Sequence, residues 1–504
     1  MTRTAYENIK TIGYYIGKIV IAFGLLMLIP MVTAVVSAEW NVVLYFLIGL
    51  AVAVIVGYFL IILSTPCQKK LNWSQGMIVA SLTWIVTMMV GALPYWLSGN
   101  WLTFLDACFD TMSGFTTTGL TLVQDMDHLS DGINMWRLLL TYLGGQGIIV
   151  LALIILPRTM SGVFTLYIGE AKDVKLLPNV VNTAKAIWGI SLAYLVIGSA
   201  ALMLAGIWLG MQPFRALLHG IWIFMSAWST GGFAPMSQSI LYYHSLLYEV
   251  ITIIIFIIGS FNFALHYSIW TGNRKEIYKN IESVSFLITS TILIVLATAE
   301  LAKTGVYTNA AALFRKGYYQ MISGHTTTGF MTIYARQFIH EWGSLAMIAI
   351  IIAMLFGASA SSTAGGFKGI RIGIVVKSII QDIKRLMAPQ SAITIERFHF
   401  IRTQILEVDY ARSAMLIIIA YLVLFATGTV ANVLYGYPLL DSIFESASVT
   451  GNVGLSAGLT SVSMPAGLKI LYIFMMWIAR LEFMSVLVLF GFILKGASKT
   501  WQKN

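Results

Sequence analysis

The chain has 504 residues, 58% of them hydrophobic and 10% charged, with a formal net charge of +10. About a quarter of residues carry charge in a soluble domain, so this balance excludes a soluble enzyme and leaves a polytopic membrane protein. The basic residues are dispersed among hydrophobic stretches, which makes them topology signals rather than a nucleic-acid surface.

A membrane-spanning helix needs about 20 mostly apolar residues. By that measure the sequence predicts ten spans, near 11–37, 42–64, 73–98, 134–156, 186–210, 241–270, 281–303, 341–385, 410–435 and 466–495. The first begins after Lys10 and reaches Val36-Ser37-Ala38, which resembles a secretory cleavage site. Its apolar run from Thr11 to Val36 is longer than the roughly 7–15 residues of a signal core, so it is read as an anchor. The eighth stretch is too long for one crossing and must be broken or project beyond the bilayer. Cys67, in a basic loop, and Cys108, in an apolar segment, are the only cysteines. Neither position suggests a disulfide or a metal site.

Assigned to alternate sides, twenty-two Lys and Arg fall on the side of the termini and seven opposite. The positive-inside rule therefore predicts cytoplasmic termini, which an even number of crossings satisfies. Four connections on the outer side are long and semi-apolar: 99–133, 211–240, 304–340 and 436–465. Aligned on Gly119, Gly232, Gly329 and Gly454, they repeat. A serine lies six residues before each glycine (Ser113, Ser226, Ser323, Ser448) and an aromatic ten before (Phe109, Trp222, Tyr319, Phe444). Recurrence of this kind marks a repeat architecture. The fold class read from it is an all-α polytopic membrane protein, with four pseudo-repeats of helix, re-entrant pore loop and helix around one central pore. Two extra N-terminal helices precede them. The expected divisions are an appendage over 11–64, then repeats over 73–156, 186–270, 281–385 and 410–495.

A short helix precedes each glycine, with Asp106 and Asp441 suited to the N-termini of the first and fourth. Its C-terminal, negative end would favour a cation at the centre. The glycines permit backbone that aims successive carbonyls at one axis, and such carbonyls replace an ion's water shell. The candidate ion-binding residues are Thr117, Thr118, Gly119 and Leu120; Thr230, Gly231, Gly232 and Phe233; Thr327, Thr328, Gly329 and Phe330; and Asn452, Val453, Gly454 and Leu455. Asp106, Asp110, Asp125, Asp127 and Asp131 crowd the first of these loops, as a cation-concentrating mouth or as plain solvated acids. His325, beside the third loop, reads as a packed side chain rather than a proton relay.

Within the eighth stretch, Gly357, Ser359, Ser361, Ser362, Thr363, Ala364, Gly365 and Gly366 belong to a run of poor helix formers. An intramembrane loop able to act as a gate is expected there, since a packing face would place small residues only every fourth position. Arg480 falls near the middle of the tenth span, where an arginine costs at least ~2.5–3.5 kcal/mol without a wet cavity or a partner. It is read as a charge barrier to cations, with pairing to Glu482 or to helix carbonyls as the alternative.

These segments resemble the Trk/Ktr/HKT superfamily of potassium transporters. The resemblance rests on the four glycine loops in order, on Leu143-Gly144-Gly145-Gln146-Gly147 with Leu156-Pro157, on Ser362 through Lys368, and on Arg480-Leu481-Glu482. The leading pair of spans is similar to the TrkH-like branch. Ala479 stands where glycine is common before the arginine, and Gly357 to Ser361 is less glycine-rich than usual. The resemblance implies potassium uptake, with K⁺ as the transported ion at the loop residues, no organic cofactor in this chain, and a gate that includes Lys368 and Arg480. It also implies a bacterial inner-membrane location, a homodimer, and a cytosolic RCK-type nucleotide-binding regulatory subunit docking on segments 158–185, 274–279 and 368–412. A symporter coupled to H⁺ or Na⁺ is the alternative; a membrane-embedded enzyme lacks any constellation to support it.

Overall fold

The computed structural model describes residues 3–64, 71–147, 150, 180–334, 337–389 and 394–501. Cys67, Lys69, Lys70, Leu156, Pro157, Arg336 and most of segment 158–185 lie outside these residues. The described residues are mostly helical. The strands among the described residues are Arg397–Phe400 and Arg402–Ile405, which pair as an antiparallel hairpin.

Among the described residues six helices are long and apolar enough to cross a membrane, and two bent pairs qualify as well. These correspond to eight of the ten expected spans. The helix Asp131–Gln146 accounts for the described part of the fourth, and the eighth is broken into Gly343–Phe356 and Gly369–Met387. Two spans expected to be continuous are not. Leu246–Gly259 and Phe263–Trp270 meet at 98°, and Ala466–Arg480 and Met484–Leu494 meet at 114°. A hydropathy reading passes over such breaks because three residues do not change a 20-residue average.

The residues fall into two compact units. The first comprises Met1–Thr116, Thr121–Leu192 and Pro465–Asn504. In it the leading helices, Arg3–Leu25 and Trp40–Ser64, pack closely through small residues. A Cβ added to Gly17 would stand 2.5 Å from the Gly57 carbonyl, and one on Gly24 would stand 2.5 Å from the Ala53 Cβ. Such faces let helices approach where lipid offers no hydrophobic drive. The C-terminal helices return to the first pore helix, Phe104–Phe115, and to Trp73–Gly91. Lys469 Nζ lies 2.6 Å from Asp106 Oδ1, with both side chains buried. The Trp477 indole donates to the Ser81 carbonyl at 3.2 Å.

The second unit comprises Thr117–Leu120 and Ala193–Met464. It carries pore helices Pro213–Trp228, Tyr319–His325 and Leu439–Gly451, the hairpin, and all four glycine loops. Across the two units the recurring aromatics Phe109, Trp222, Tyr319 and Phe444 are each fully buried. They are the core anchors of the short helices, which explains why the pattern demands a large ring at that register.

Candidate functional site

Each pore helix ends just before its loop, and the loop backbone follows one pattern four times. Two residues before the glycine, and again at the glycine, φ is positive: Thr117 (+56°) and Gly119 (+87°), Thr230 (+50°) and Gly232 (+70°), Thr327 (+57°) and Gly329 (+79°), Asn452 (+53°) and Gly454 (+91°). Backbone of alternating hand turns successive peptide groups to one side, gathering their dipoles. Glycine adopts this hand freely, and asparagine tolerates it. A β-branched threonine does not, and each of the three costs of order 1–3 kcal/mol that the surroundings must offset.

The loops close on one another in cyclic order. A Cβ on Gly119 would stand 2.5 Å from the Gly231 carbonyl oxygen. One on Gly232 would collide with the Thr328 carbonyl, one on Gly329 with that of Val453, and one on Gly454 with that of Thr118. Four segments from distant parts of the chain thus form one ring, and at each junction only a hydrogen fits. The residue before the glycine is fixed as well. Its N–H donates to the carbonyl of the recurring serine, from Gly231 to Ser226 at 2.8 Å, from Thr328 to Ser323 at 2.8 Å, and from Val453 to Ser448 at 2.9 Å. The Ser448 hydroxyl also accepts from Gly454 N–H at 3.0 Å, and the Ser323 hydroxyl donates to the Phe330 carbonyl at 2.9 Å. Asn452 donates from its side-chain amide to Thr118 Oγ1 at 2.9 Å, linking the fourth loop to the first.

Residues nine before the glycine brace the outgoing chain, a role that sequence reasoning missed. Asp110 accepts from Leu122 N–H at 2.6 Å and from the Thr121 hydroxyl at 2.5 Å. Glu445 accepts from Ser456, from Ala457 N–H at 2.8 Å and from Thr460. Gln320 donates to the Phe330 carbonyl at 3.3 Å. The expectation that the first loop's acids form a solvated, cation-collecting mouth is therefore corrected for three of them. Asp106 is buried against Lys469 and completes a capping box with Thr103, while Asp110 is buried as a brace. Asp131 accepts from the Ser37 hydroxyl at 2.9 Å. Asp125 stays exposed, paired with His128. His325 is packed, as expected, bonded to Thr289 Oγ1 at 2.9 Å and edge-on to Phe286.

The broken eighth stretch folds back between Gly357 and Lys368. Its ends touch, since a Cβ on Gly357 would collide with the Gly365 carbonyl. Positive φ recurs at Gly357, Ser361, Gly366 and Lys368. The loop meets the strained residues of the ring. Thr363 Oγ1 contacts Thr230 Oγ1 at 3.2 Å and donates toward the carbonyls of Trp228 (3.1 Å) and Gly259 (2.9 Å). Gly365 N–H donates to Thr327 Oγ1 at 2.7 Å, and Thr117 Oγ1 lies 3.5 Å from the Thr363 carbonyl. A Cβ on Gly365 would collide with the Gly451 carbonyl. Ser359 is anchored to Ser260, the Ser362 hydroxyl bonds the Ser359 carbonyl, Ala364 accepts from the Lys368 ammonium, and Ala364 N–H donates to Ser362. Arg480, in the first unit, donates to the carbonyls of Gly144 (2.9 Å) and Gly145 (3.4 Å), at the C-terminus of Asp131–Gln146. Of the two partners weighed for it, helix carbonyls are present; a guanidinium suits them and the negative end of a helix. Among the described residues no cluster of three or more His, Cys, Asp or Glu could hold a metal ion.

A family model described as a TrkH cation transport protein matches residues 44–502. The chain is similar to the Trk system potassium uptake protein TrkH of Escherichia coli K12, with 31% identity over 499 residues, covering 96% of this chain and 98% of that one. It is similar to an uncharacterized cation transporter of Methanocaldococcus jannaschii, with 29% identity over 492 residues and 97% of each covered. Its fold is similar to the crystal structure of the potassium transporter TrkH from Vibrio parahaemolyticus. That comparison has a TM-score of 0.81 and 26% identity, covering 95% of this chain and 98% of that one. The chain belongs to the TrkH family of cation transport proteins.

Proposed function

We propose that the protein takes up potassium through the ring of four loops, with K⁺ bound by the carbonyls of residues 117–120, 230–233, 327–330 and 452–455. The observation that carries this reading is the cyclic closure of four glycines, each against the carbonyl preceding the next, with a left-handed pair in every loop. Oxygen dipoles without a fixed anion suit a weakly hydrated monovalent cation that must bind and then leave. Inward flow is driven by the membrane potential, about 2.3 kcal/mol per 100 mV for each charge. The relatives named as potassium uptake proteins support the choice of ion. Of the two weak titratable candidates for a coupled pathway, His325 and Glu482, His325 is occupied by packing and by Thr289, which weighs against a proton relay through it.

In this reading residues 11–64 are an appendage, and 73–156, 186–270, 281–385 and 410–495 are the four pore repeats. The loop 357–368, with Arg480, is the gate. The termini are cytoplasmic in a bacterial inner membrane, two chains pair with a pore each, and a nucleotide-binding RCK-type subunit docks on the basic cytoplasmic segments. Purified protein in liposomes, voltage-clamped first in K⁺ and then in Na⁺, tests the function. Saturable flux favouring K⁺ is expected; no cation flux, or flux set by a pH gradient at fixed voltage, overturns it. Arg480→Ala is expected to raise basal flux, and unchanged flux at normal expression counts against its barrier role.

A further inference from the structure

The break in the second repeat is small, yet all three of its residues hold the gate loop of the third. The Ser260 carbonyl accepts from Ser359 N–H at 3.2 Å. Phe261 packs on Phe286 and, with it, against Ala358 and Ala364. The Asn262 amide donates to the Ala360 carbonyl at 2.7 Å. From the other side Glu282 Oε1 accepts from Ala360 N–H at 2.6 Å. Both backbone groups of Ala360 are therefore held by side chains, one acid and one amide, both buried. Glu282 sits in the first turn of Ile281–Thr304.

The flanks of this arrangement reach the cytoplasmic hairpin. Ile281, next to Glu282, packs in one apolar cluster with Phe398 and Leu406 of the hairpin region and with Ile374, which follows the gate loop. Glu276, buried six residues before Glu282, accepts from Ile401 N–H at 3.1 Å and bonds His399 Nε2 at 3.0 Å. The hairpin thus grips both chain segments that bound the loop's anchorage, and it grips them through one apolar cluster and one buried acid.

We propose that Glu282 and Asn262 are positioning residues that latch Ala360 and hold the loop 357–368 on the ring, and that the hairpin 397–405 is the handle through which the latch is released. The inference rests on the reading of that loop as the gate. Leaving a buried hydrogen-bonding group without its partner costs about 1–3 kcal/mol. Removing either latch residue therefore shifts the closed loop toward release by roughly fivefold or more.

The test is voltage-clamped K⁺ flux of full-length protein in liposomes. Asn262→Ala and Glu282→Ala should each raise basal flux by about fivefold or more with the K⁺-to-Na⁺ ratio unchanged. The double variant should exceed either single one, because Asn262 holds the Ala360 carbonyl and Glu282 its N–H. Glu282→Gln, which keeps an acceptor oxygen, should fall between and guards against misfolding of the alanine variant. Unchanged flux in Asn262→Ala and Glu282→Gln, or a rise matched by lost selectivity, overturns the latch. For the handle, His399→Ala removes one of the two hairpin bonds to Glu276 and leaves the one from Ile401 N–H in place. Basal flux should rise in His399→Ala and rise no further when Glu282→Ala is added; flux in His399→Ala equal to that of the unaltered protein overturns the handle. Absence of cation flux in the unaltered protein would instead overturn the proposed function, so the two failures are told apart.

Discussion

The second and third repeats break their inner helices at corresponding places and use the break differently. In the second, three residues, Ser260 to Asn262, separate Leu246–Gly259 from Phe263–Trp270. In the third, twelve residues, Gly357 to Lys368, separate Gly343–Phe356 from Gly369–Met387. The short break redirects a helix and offers a cradle. The long one turns back on itself and lends Thr363 and Gly365 to three strained threonines of the ring. A pseudo-symmetric frame thus carries one long asymmetric loop, and the neighbouring repeat has its matching seat.

The sharpest way to break the comparison is at the ring, which both repeats serve. Gly329→Ala places a methyl group on the Val453 carbonyl at a left-handed position. Because each 1.4 kcal/mol is about tenfold in an equilibrium, K⁺ flux should fall by well over tenfold, read in liposomes. Next is the fastening of the C-terminal helices. Lys469→Ala leaves Asp106 buried without its cation, a loss of about 3–5 kcal/mol. The melting temperature in detergent should drop, and Asp106→Asn in the same chain should restore part of it. Third, Thr363→Val removes the hydroxyl that the carbonyls of Trp228 and Gly259 share. It should loosen the long break by about 1–3 kcal/mol and raise basal flux. Smallest is the tie between the helix after the loop and the strand entry. The Lys384 ammonium holds the Glu396 carboxyl below its ordinary range by hydrogen bond and charge. A lowered carboxyl pKa stabilises above the unfolded value and loses that gain as pH falls through the folded one. Acidification below the usual carboxylate range should therefore cost under about 1 kcal/mol here, and Lys384→Ala should reduce that pH dependence in thermal melts, with Lys377 still beside the carboxylate.

Much of the ring was legible from residues alone, because glycine is demanded where only a hydrogen fits and an aromatic is demanded where a short helix must be anchored. The long break was legible too, as a run of poor helix formers. The short breaks were not. Leu481-Glu482-Phe483 contains neither Gly nor Pro, and Glu482 and Phe483 take positive φ through their setting rather than their propensity. The threonines at 117, 230 and 327 looked like oxygen donors; their left-handed backbone depends on partners from other repeats, which no local pattern encodes. Asp106 was legible as a helix N-terminus, where it completes a capping box, but its burial was not. An acid in an outer loop reads as solvated until the chain brings Lys469 from 363 residues away.

The central claim is that four chain segments share one cation site. Anomalous diffraction from crystals soaked in Tl⁺ or Rb⁺, which stand in for K⁺, tests it most directly. A peak enclosed by the carbonyls of Thr118, Gly231, Thr328 and Val453, lost when Na⁺ replaces the heavy ion, is the predicted result. Ordered density for the loops with no peak between them, and heavy-ion sites elsewhere in the chain, would contradict it.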